Sequence, residues 1–227
     1  MKKQSLVILF SLLVFGFANA QSSKNVKVSS FDEIHLGGSF DVILEKGKKE
    51  NVRMQGSEKD LEKILVEVDG NELKIRIKRG VHRVGKVKVT ITFQELNAIH
   101  SSGSSDISSS DMIDTNSFSV RCSGSGDIDL KVTSKSVSVK ISGSGDITLS
   151  GAADKQEITI SGSSDIDLLE LKGKSCDIKI SGSGNAKVNV SDALSARVSG
   201  SGDIKYKGSP EIQNFKVSGS GSVRKMN

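Results

Sequence analysis

The sequence lacks the features that mark several common classes of protein. Its 227 residues include one proline and no tryptophan, and its 23 glycines follow no strict Gly-X-Y period, which excludes collagen. Val, Ile and Leu recur in an ordered pattern, which argues against general disorder. The length suffices for one sizeable domain or two small ones.

No strong excess of positive charge is present. Setting aside Lys2 and Lys3, which belong to a leader, leaves 30 of the 32 basic residues against 27 acidic ones, a net charge of +3. Nucleic-acid binding normally requires a strongly basic face. We therefore expect no nucleic-acid partner.

Residues 1–20 have the pattern of a secretory signal peptide. Met1-Lys2-Lys3 is positive, residues 6–18 form an apolar run, and Ala18-Asn19-Ala20 is a small-x-small cleavage site before Gln21. The alternative, a transmembrane anchor, needs about 20 apolar residues, more than this run supplies. No cysteine follows the cleavage site to support a lipoprotein anchor, and no later stretch is apolar enough to span a membrane. We expect an exported protein of the periplasm or the cell surface.

A hexapeptide, Ser-Gly-Ser-[Gly/Ser]-x-x, occurs seven times in the second half of the chain. Its fourth to sixth positions read Gly-Asp-Ile in three copies and Ser-Asp-Ile in two, and successive copies start 18–21 residues apart. Such a fixed period is typical of repeat architectures. The copies begin at Ser102, Ser123, Ser142, Ser161, Ser181, Ser199 and Ser218.

Residues around the second position of the hexapeptide, the reference glycine, alternate in polarity. Apolar and often β-branched residues stand two and four positions before this glycine and four positions after it. Residues an odd number of positions from the glycine are mostly polar. This period predicts strands with one buried face. One unit cannot bury that face alone, so we expect the units to stack on one another. Stacking predicts an all-β fold, a parallel β-helix of about 19 residues per coil. In such a stack Ile128, Ile147 and Ile166 are neighbours. The chirality of parallel crossovers favours a right-handed solenoid. A β-sandwich is the alternative, but it does not require the same residue at the same phase seven times.

Residues 21–97 lack the hexapeptide but also look β-rich. We expect imperfect first coils, or a small sheet that caps the N-terminal end of the repeat β-helix at 98–227. Asp69-Gly70 predicts a hairpin, and Ser57 caps a helical turn at 57–62. No comparable cap follows Val223, so we expect the C-terminal end to pair with another chain, as in a homo-oligomer. The candidate strands are 40–44, 52–55, 64–68, 72–78 and 87–93.

The chain resembles the bacterial head GIN domain family of auto-transporter adhesins over roughly residues 30–215. The resemblance depends mainly on the Ser-Gly-Ser-Gly-Asp-Ile series. Shorter matches are Phe31-Asp32-Glu33-Ile34, Phe40-Asp41-Val42, Asn71-Glu72-Leu73-Lys74-Ile75, and Thr90-Ile91-Thr92-Phe93 before Leu96. The resemblance implies a β-helical, exported, cell-envelope protein, and it supplies no catalytic residues.

Outward positions of stacked coils form rows along the solenoid. Two serine rows lie directly before and after the reference glycine. The acidic row, three residues after the glycine, comprises Asp106, Asp127, Asp146, Asp165, Asn185, Asp203 and Ser222. The basic row, three residues before it, comprises His100, Arg121, Lys140, Thr159, Lys179, Arg197 and Lys216.

Each charged row has two interpretations. The acidic row satisfies backbone donors at turns, or it binds a cation or a glycan, although the calcium-binding nonapeptide pattern is absent. The basic row is a solvated edge or a polyanion site. Serine rows also occur in ice-binding solenoids, but those favour Thr and avoid nearby charge. The candidate binding residues are Asp106, Asp127, Asp146, Asp165, Asp203, Arg121, Lys140, Lys179 and Arg197.

Signals for catalysis are weak. His35, His82 and His100 are scattered without metal-ligand spacing, and neither a Gly-x-Ser-x-Gly elbow nor a Walker loop occurs. We therefore expect no enzyme, no cofactor and no metal, but an adhesin-like envelope protein that binds a glycan or a cell-surface protein. Because β-helices also host polysaccharide lyases and hydrolases, a polysaccharide-active enzyme is one alternative. A structural spacer is the other.

Each of the two cysteines lies an even number of residues from the nearest following reference glycine, so we expect both side chains to face the interior. Cys122 and Cys176 lie three coils apart, about 14 Å, which exceeds the limit of about 7 Å between Cα atoms for a disulfide. Export places the protein in an oxidising compartment. We nevertheless expect two free, buried thiols.

Overall fold

Most of the chain forms parallel strands stacked as a solenoid. The computed structural model describes residues 22–226, so the expected signal peptide lies outside the described residues. About seven coils of about 19 residues make up the stack, and strand accounts for 73% of the described residues. The prediction of an all-β parallel β-helix is confirmed. No helix within residues 22–226 is long and apolar enough to cross a membrane.

The described N-terminal part contains seven short strands and one helical turn. The turn and the hairpin confirm the sequence predictions: Ser57 Oγ accepts the backbone N–H of Asp60 at 3.2 Å, and the strands on either side of Gly70 pair antiparallel. The candidate strands correspond to β3–β7, whereas β1 and β2 were not predicted. In chain order the elements are β1 (Ser22–Lys27), β2 (Glu33–Gly37), β3 (Asp41–Lys46), β4 (Asn51–Gly56), α1 (Glu58–Leu61), β5 (Ile64–Asp69), β6 (Glu72–Ile77) and β7 (Lys88–Phe93).

The repeat region contains nine strands that pair in parallel with the coil before or after. Ile147 lies opposite Ile128 on one side and Ile166 on the other, and all three are buried. The predicted column of isoleucines is thus confirmed. The strands are β8 (Ala98–Gly103), β9 (Asp106–Gly124), β10 (Ile128–Gly143), β11 (Ile147–Gly162), β12 (Asp165–Gly182), β13 (Asn185–Gly200), β14 (Asp203–Lys207), β15 (Ile212–Gly219) and β16 (Ser222–Lys225).

A further copy of the hexapeptide, with its own level of strand pairing, precedes the seven copies recognised in the sequence. Strand β2 pairs in parallel with β8, and β3 pairs with the first part of β9. Gly37-Gly38-Ser39-Phe40-Asp41-Val42 therefore occupies the hexapeptide position, and a Cβ on Gly103 would lie 2.1 Å from the carbonyl oxygen of Gly38. This copy does not match the hexapeptide in sequence, because Gly37 replaces the first serine and Phe40 replaces the small fourth residue.

The remaining N-terminal strands cover the first coil. Strand β6 pairs in parallel with β2, and β7 pairs in parallel with β3. Antiparallel strands lie beyond them, β5 on β6 and β4 on β7, with β1 on β4. The N-terminal part thus contains both a coil and a small sheet over the end of the stack.

The C-terminal coil has an open edge among the described residues. Strands β15 and β16 each pair on one side only, with β13 and β14. Ile212, Phe215 and Val217 on β15 are 68%, 36% and 43% exposed. An open strand edge can accept another strand, and the expected homo-oligomer through this end stays a prediction.

Both cysteines lie in the interior between the strands. Cys122 and Cys176 are buried and form no disulfide. Burial raises the pKa of each thiol above its usual value. The prediction of two free, buried thiols is confirmed.

Candidate functional site

The acidic row is a ladder of hydrogen bonds between coils. Asp127 donates its backbone N–H to Oδ1 of Asp106 at 3.0 Å. The same contact, at the same distance, joins Asp146 to Asp127 and Asp165 to Asp146. Carboxylates here satisfy backbone donors, as the local interpretation expects. Cation or glycan binding by the row stays a prediction.

The ladder continues beyond the last of these aspartates. Asn185 donates its backbone N–H to Asp165 Oδ1 at 3.1 Å, and Asp203 donates its own to Asn185 Oδ1 at 2.9 Å. The Ser222 hydroxyl then donates to Asp203 Oδ1 at 2.7 Å. This bond lowers the pKa of the Asp203 carboxyl below its usual 3.8. Side chains therefore connect the coils along this edge in addition to the backbone ladder.

The basic row follows the outer face of the solenoid, with one residue on each coil. Strand pairing sets Arg121 opposite His100, and Lys140 opposite Arg121. His35 on β2 and Lys74 on β6 continue the row toward the N-terminal end. Adjacent coils lie about 4.8 Å apart, so cationic groups repeat at short intervals, with one break at Thr159 between Lys140 and Lys179.

Acidic residues neutralise only part of the basic row. Asp177 carboxylate oxygens lie 3.8 Å from Lys179 Nζ and 3.7 Å from Arg197 Nη1. Within residues 22–226, Arg121 and Lys140 form no ion pair, and both are exposed. Lys216, at the C-terminal end of the row, is likewise exposed and without an ion pair within the described residues. Arg121, Lys140 and Lys216 are therefore the cations of the row most available to an external anion.

A groove of about 650 Å³ lies between the basic row and the serine row that precedes the reference glycine. No Asp or Glu of the described chain lines it. Past Thr159 a continuation of about 320 Å³ follows the same two rows to Lys216, again without a described acidic residue. The polar side chains of the larger groove are His35, Lys74, Arg76, His100, Arg121, Lys140 and Thr159 with Ser101, Ser102, Ser123, Ser142 and Ser161.

A wider depression of about 1030 Å³ elsewhere on the surface has mixed charge. Asp114 and Asp154 line it together with three lysines, and Lys174 Nζ lies 2.9 Å from Asp154 Oδ1. Because its charges compensate one another, this depression is a weaker candidate for anion binding than the groove.

Two histidines lie side by side at the N-terminal end of the groove. His35 is directly opposite His100, and their ring centroids are 4.3 Å apart with planes tilted by 30°. Arg121 Nη1 lies 3.4 Å from His100 Nε2. Burial lowers the pKa of His100 below its usual 6.5, and His35 and Arg121 add to the effect.

The interpretation of the histidines as scattered was therefore wrong for His35 and His100. Both lie three residues before a glycine of the reference column, Gly38 and Gly103. Aligning residues 37–42 with the hexapeptide would have placed the two rings in the same row. Without that alignment, the 65-residue separation between them hid the contact.

Comparisons with known proteins support an adhesin-type solenoid. The family described as "putative auto-transporter adhesin, head GIN domain" matches residues 30–210. No curated protein sequence matches the chain significantly.

Three solved structures share the architecture. A "putative adhesin" from Bacteroides fragilis is 26% identical, with 91% of this chain and 97% of that chain covered and a TM-score of 0.88. A "putative lipid binding protein" from Parabacteroides distasonis is 25% identical, with 93% and 98% covered and a TM-score of 0.76. A "putative adhesin" from the same species is 24% identical, with 92% and 98% covered and a TM-score of 0.78, and it supports the fold alone. With its repeat, its stacked coils and a family match over most of its length, this chain belongs to the head GIN domain family of putative auto-transporter adhesins.

Proposed function

We propose that the protein is a non-catalytic, exported adhesin of the cell envelope whose groove binds an extended acidic glycan. The observation that supports this most directly is that the polar side chains lining the groove are cations, imidazoles and hydroxyls, with no described carboxylate among them. An acidic polysaccharide carries carboxylate or sulfate groups at regular intervals, with hydroxyl groups between them. Its chemistry therefore complements the two rows that border the groove.

Arg121 and Lys140 are the residues that we assign to the anionic groups. The planar Arg121 guanidinium suits bidentate contact with a carboxylate or sulfate, whereas Lys140 supplies a compact point charge. Since neither has an ion pair within residues 22–226, binding an anion breaks no intramolecular salt bridge. Ser123 and Ser142, on the same coils as the two cations, offer hydroxyls to the sugar.

The affinity is expected to come from many weak contacts. One exposed ion pair contributes about 0.2–1 kcal/mol and is screened by salt. A long glycan that follows the groove makes such contacts on several coils at once, and the linked contacts raise the overall affinity. Binding is therefore expected to rise with chain length and to fall with ionic strength.

The groove's lining favours binding over hydrolysis. Glycoside hydrolysis generally uses two carboxylic residues on either side of the scissile bond. Among the residues that the structure describes, none that line the groove carries a carboxylate. A polysaccharide-active enzyme is thus the less supported alternative, and a structural spacer is the alternative that the absence of any glycan ligand would favour.

A binding screen with the mature protein tests the proposal. Immobilised polygalacturonate and heparin represent carboxylated and sulfated glycans, and dextran is the neutral reference. Anionic vesicles form a further arm, because one structural relative is described as a lipid binding protein. We expect retention on at least one acidic glycan and none on dextran, with no shortening of the glycan by size-exclusion chromatography. Retention on vesicles alone, or depolymerisation of a glycan, would contradict the proposal.

Two matched variants show whether the groove is responsible for retention on the acidic glycan. Arg121→Ala/Lys140→Ala removes two cations from the groove. Lys131→Ala/Lys155→Ala removes the same charge from exposed positions outside it. We expect the first variant to lose retention and the second to keep it. Equal losses would indicate only nonspecific attraction to a basic protein.

A further inference from the structure

We propose that Glu33, His35 and His100 bind a divalent transition-metal ion of the Zn²⁺ class. Glu33 and His35 are two residues apart on β2, so their side chains leave the same face of the strand. His100 on β8 lies directly opposite His35. One ligand atom from each of the three half-buried residues lies within 4.8 Å of the other two.

His35 Nε2 supplies a second, independent observation. This nitrogen is closed off from solvent and has no hydrogen-bond partner within the described chain. The nearest carboxylate oxygens, on Glu72 and Glu33, lie 3.4 Å and 4.0 Å away. A buried polar atom without a partner is unfavourable. A metal ion held by this nitrogen and by Glu33 satisfies both groups.

The donor set determines the class of metal. Imidazole and carboxylate together suit Zn²⁺ and its neighbours, whereas Ca²⁺ and Mg²⁺ prefer oxygen donors alone. Tetrahedral coordination with bonds of about 2.0–2.2 Å places ligand atoms about 3.3–3.6 Å apart. The Glu33 side chain is 30% exposed and can rotate toward the histidines. The His35 and His100 rings, stacked with planes tilted by 30°, must also turn so that one nitrogen of each points at the same ion. Three protein ligands leave one position open to water or to an external donor.

The charged side chains around the site influence its affinity for a metal ion. Lys74 Nζ is already engaged by Asp69 Oδ2 at 2.7 Å and by Glu72 Oε2 at 3.2 Å. Arg121 Nη1, 3.4 Å from His100 Nε2, is therefore the cation that opposes a metal ion most directly. Removing Arg121 is expected to strengthen metal binding, although the same change weakens glycan binding in the function proposed above. The two proposals can thus fail separately.

Metal titration of the mature protein is the test. After treatment with EDTA and dialysis, Zn²⁺ is titrated in competition with a chromophoric chelator, with Ca²⁺ and Mg²⁺ as references. We expect one Zn²⁺ per chain and no competition by Ca²⁺ or Mg²⁺. His35→Gln and His100→Gln should each weaken binding at least tenfold, and Arg121→Ala should strengthen it. His82→Gln, which changes an exposed histidine outside the cluster, should leave binding unchanged.

A spectroscopic readout guards against variants that misfold. Co²⁺ bound to the unmodified protein should give visible ligand-field bands of a four-coordinate site, and Zn²⁺ should displace it. Absence of Zn²⁺ binding, equal binding by the His35→Gln and unmodified proteins, or loss of binding in His82→Gln would each overturn the proposal. The last two results would indicate adventitious binding elsewhere on the surface.

Discussion

Gly162 lies directly over Gly143, and a Cβ added to Gly162 would be 2.5 Å from the carbonyl oxygen of Gly143. Gly143 stands in the same relation to Gly124, at 2.1 Å. The reference glycines thus form a column in which successive backbones meet without side chains between them. The φ angle of Gly162 is +127°, which residues with a Cβ rarely adopt. Stacking itself therefore explains the glycine at the second position of each repeat.

Gly162→Ala is expected to destabilise the protein by about 2–4 kcal/mol, because it combines backbone strain with a clash against the neighbouring coil. Gly70→Asn is the control: Gly70 has φ +63°, no atom lies within 4 Å of a Cβ placed there, and Asn tolerates this conformation. The free energy of unfolding from urea titration measures both. Similar losses in the two variants would refute the glycine column as a stacking requirement.

Asp146→Ala is expected to cost about 0.5–1.5 kcal/mol, because it removes the acceptor of the Asp165 backbone N–H. Asp146→Asn keeps an oxygen in place, as Asn185 does for Asp203, and should cost less. Thermal unfolding of the two variants makes the comparison. If Asn were as costly as Ala, the negative charge and not the acceptor would be what the row requires.

Ser222→Ala is expected to raise the pKa of Asp203 toward its usual 3.8, since the Ser222 hydroxyl is the main cause of the lowered value. A carboxyl whose pKa is lower in the folded state stabilises the fold above its unfolded pKa. That contribution is lost as the pH falls through the folded pKa. Titration of the Asp203 carboxyl carbon by NMR measures the change, and an unaltered pKa would show that the hydroxyl does not act on this group.

Thiol reactivity reports on the interior of the coils. Because Cys122 and Cys176 are buried and burial raises their pKa values, neither should react with a disulfide reagent in the native protein at neutral pH. Two thiols should appear in guanidinium chloride. Finding none in denaturant would mean that the cysteines are joined, which their separation along the stack does not permit.

The stack could be predicted because the information is periodic. Isoleucines such as Ile128 and Ile147 recur at the same position of each repeat. When coils stack, residues at the same repeat position lie next to each other. The coil of β2 and β3 could not be found in this way. Residues 47–97 separate it from its neighbour, and local periodicity carries no information about pairing across such a distance.

The candidate site was predicted only in part. The repeat spacing alone predicts that Arg121 and Lys140 share a row, but whether each cation is free depends on acidic residues on its own coil and on the neighbouring one. Ser119 and Ser138 stand two positions before Arg121 and Lys140. Asp177 stands two positions before Lys179 and contacts both Lys179 and, on the next coil, Arg197. Side-chain geometry, and not periodicity, distinguishes the free cations from the paired ones.

The most direct test of the proposed function is calorimetric titration of a soluble acidic oligosaccharide, an oligogalacturonate or a heparin fragment, into three proteins. These are the unmodified protein, Arg121→Ala/Lys140→Ala and Lys131→Ala/Lys155→Ala. Loss of two exposed contacts predicts about tenfold weaker binding for the groove variant, or about 1.4 kcal/mol, and no change for the control. Equal affinity in all three proteins, or no binding to the unmodified protein, would contradict the groove as a glycan site.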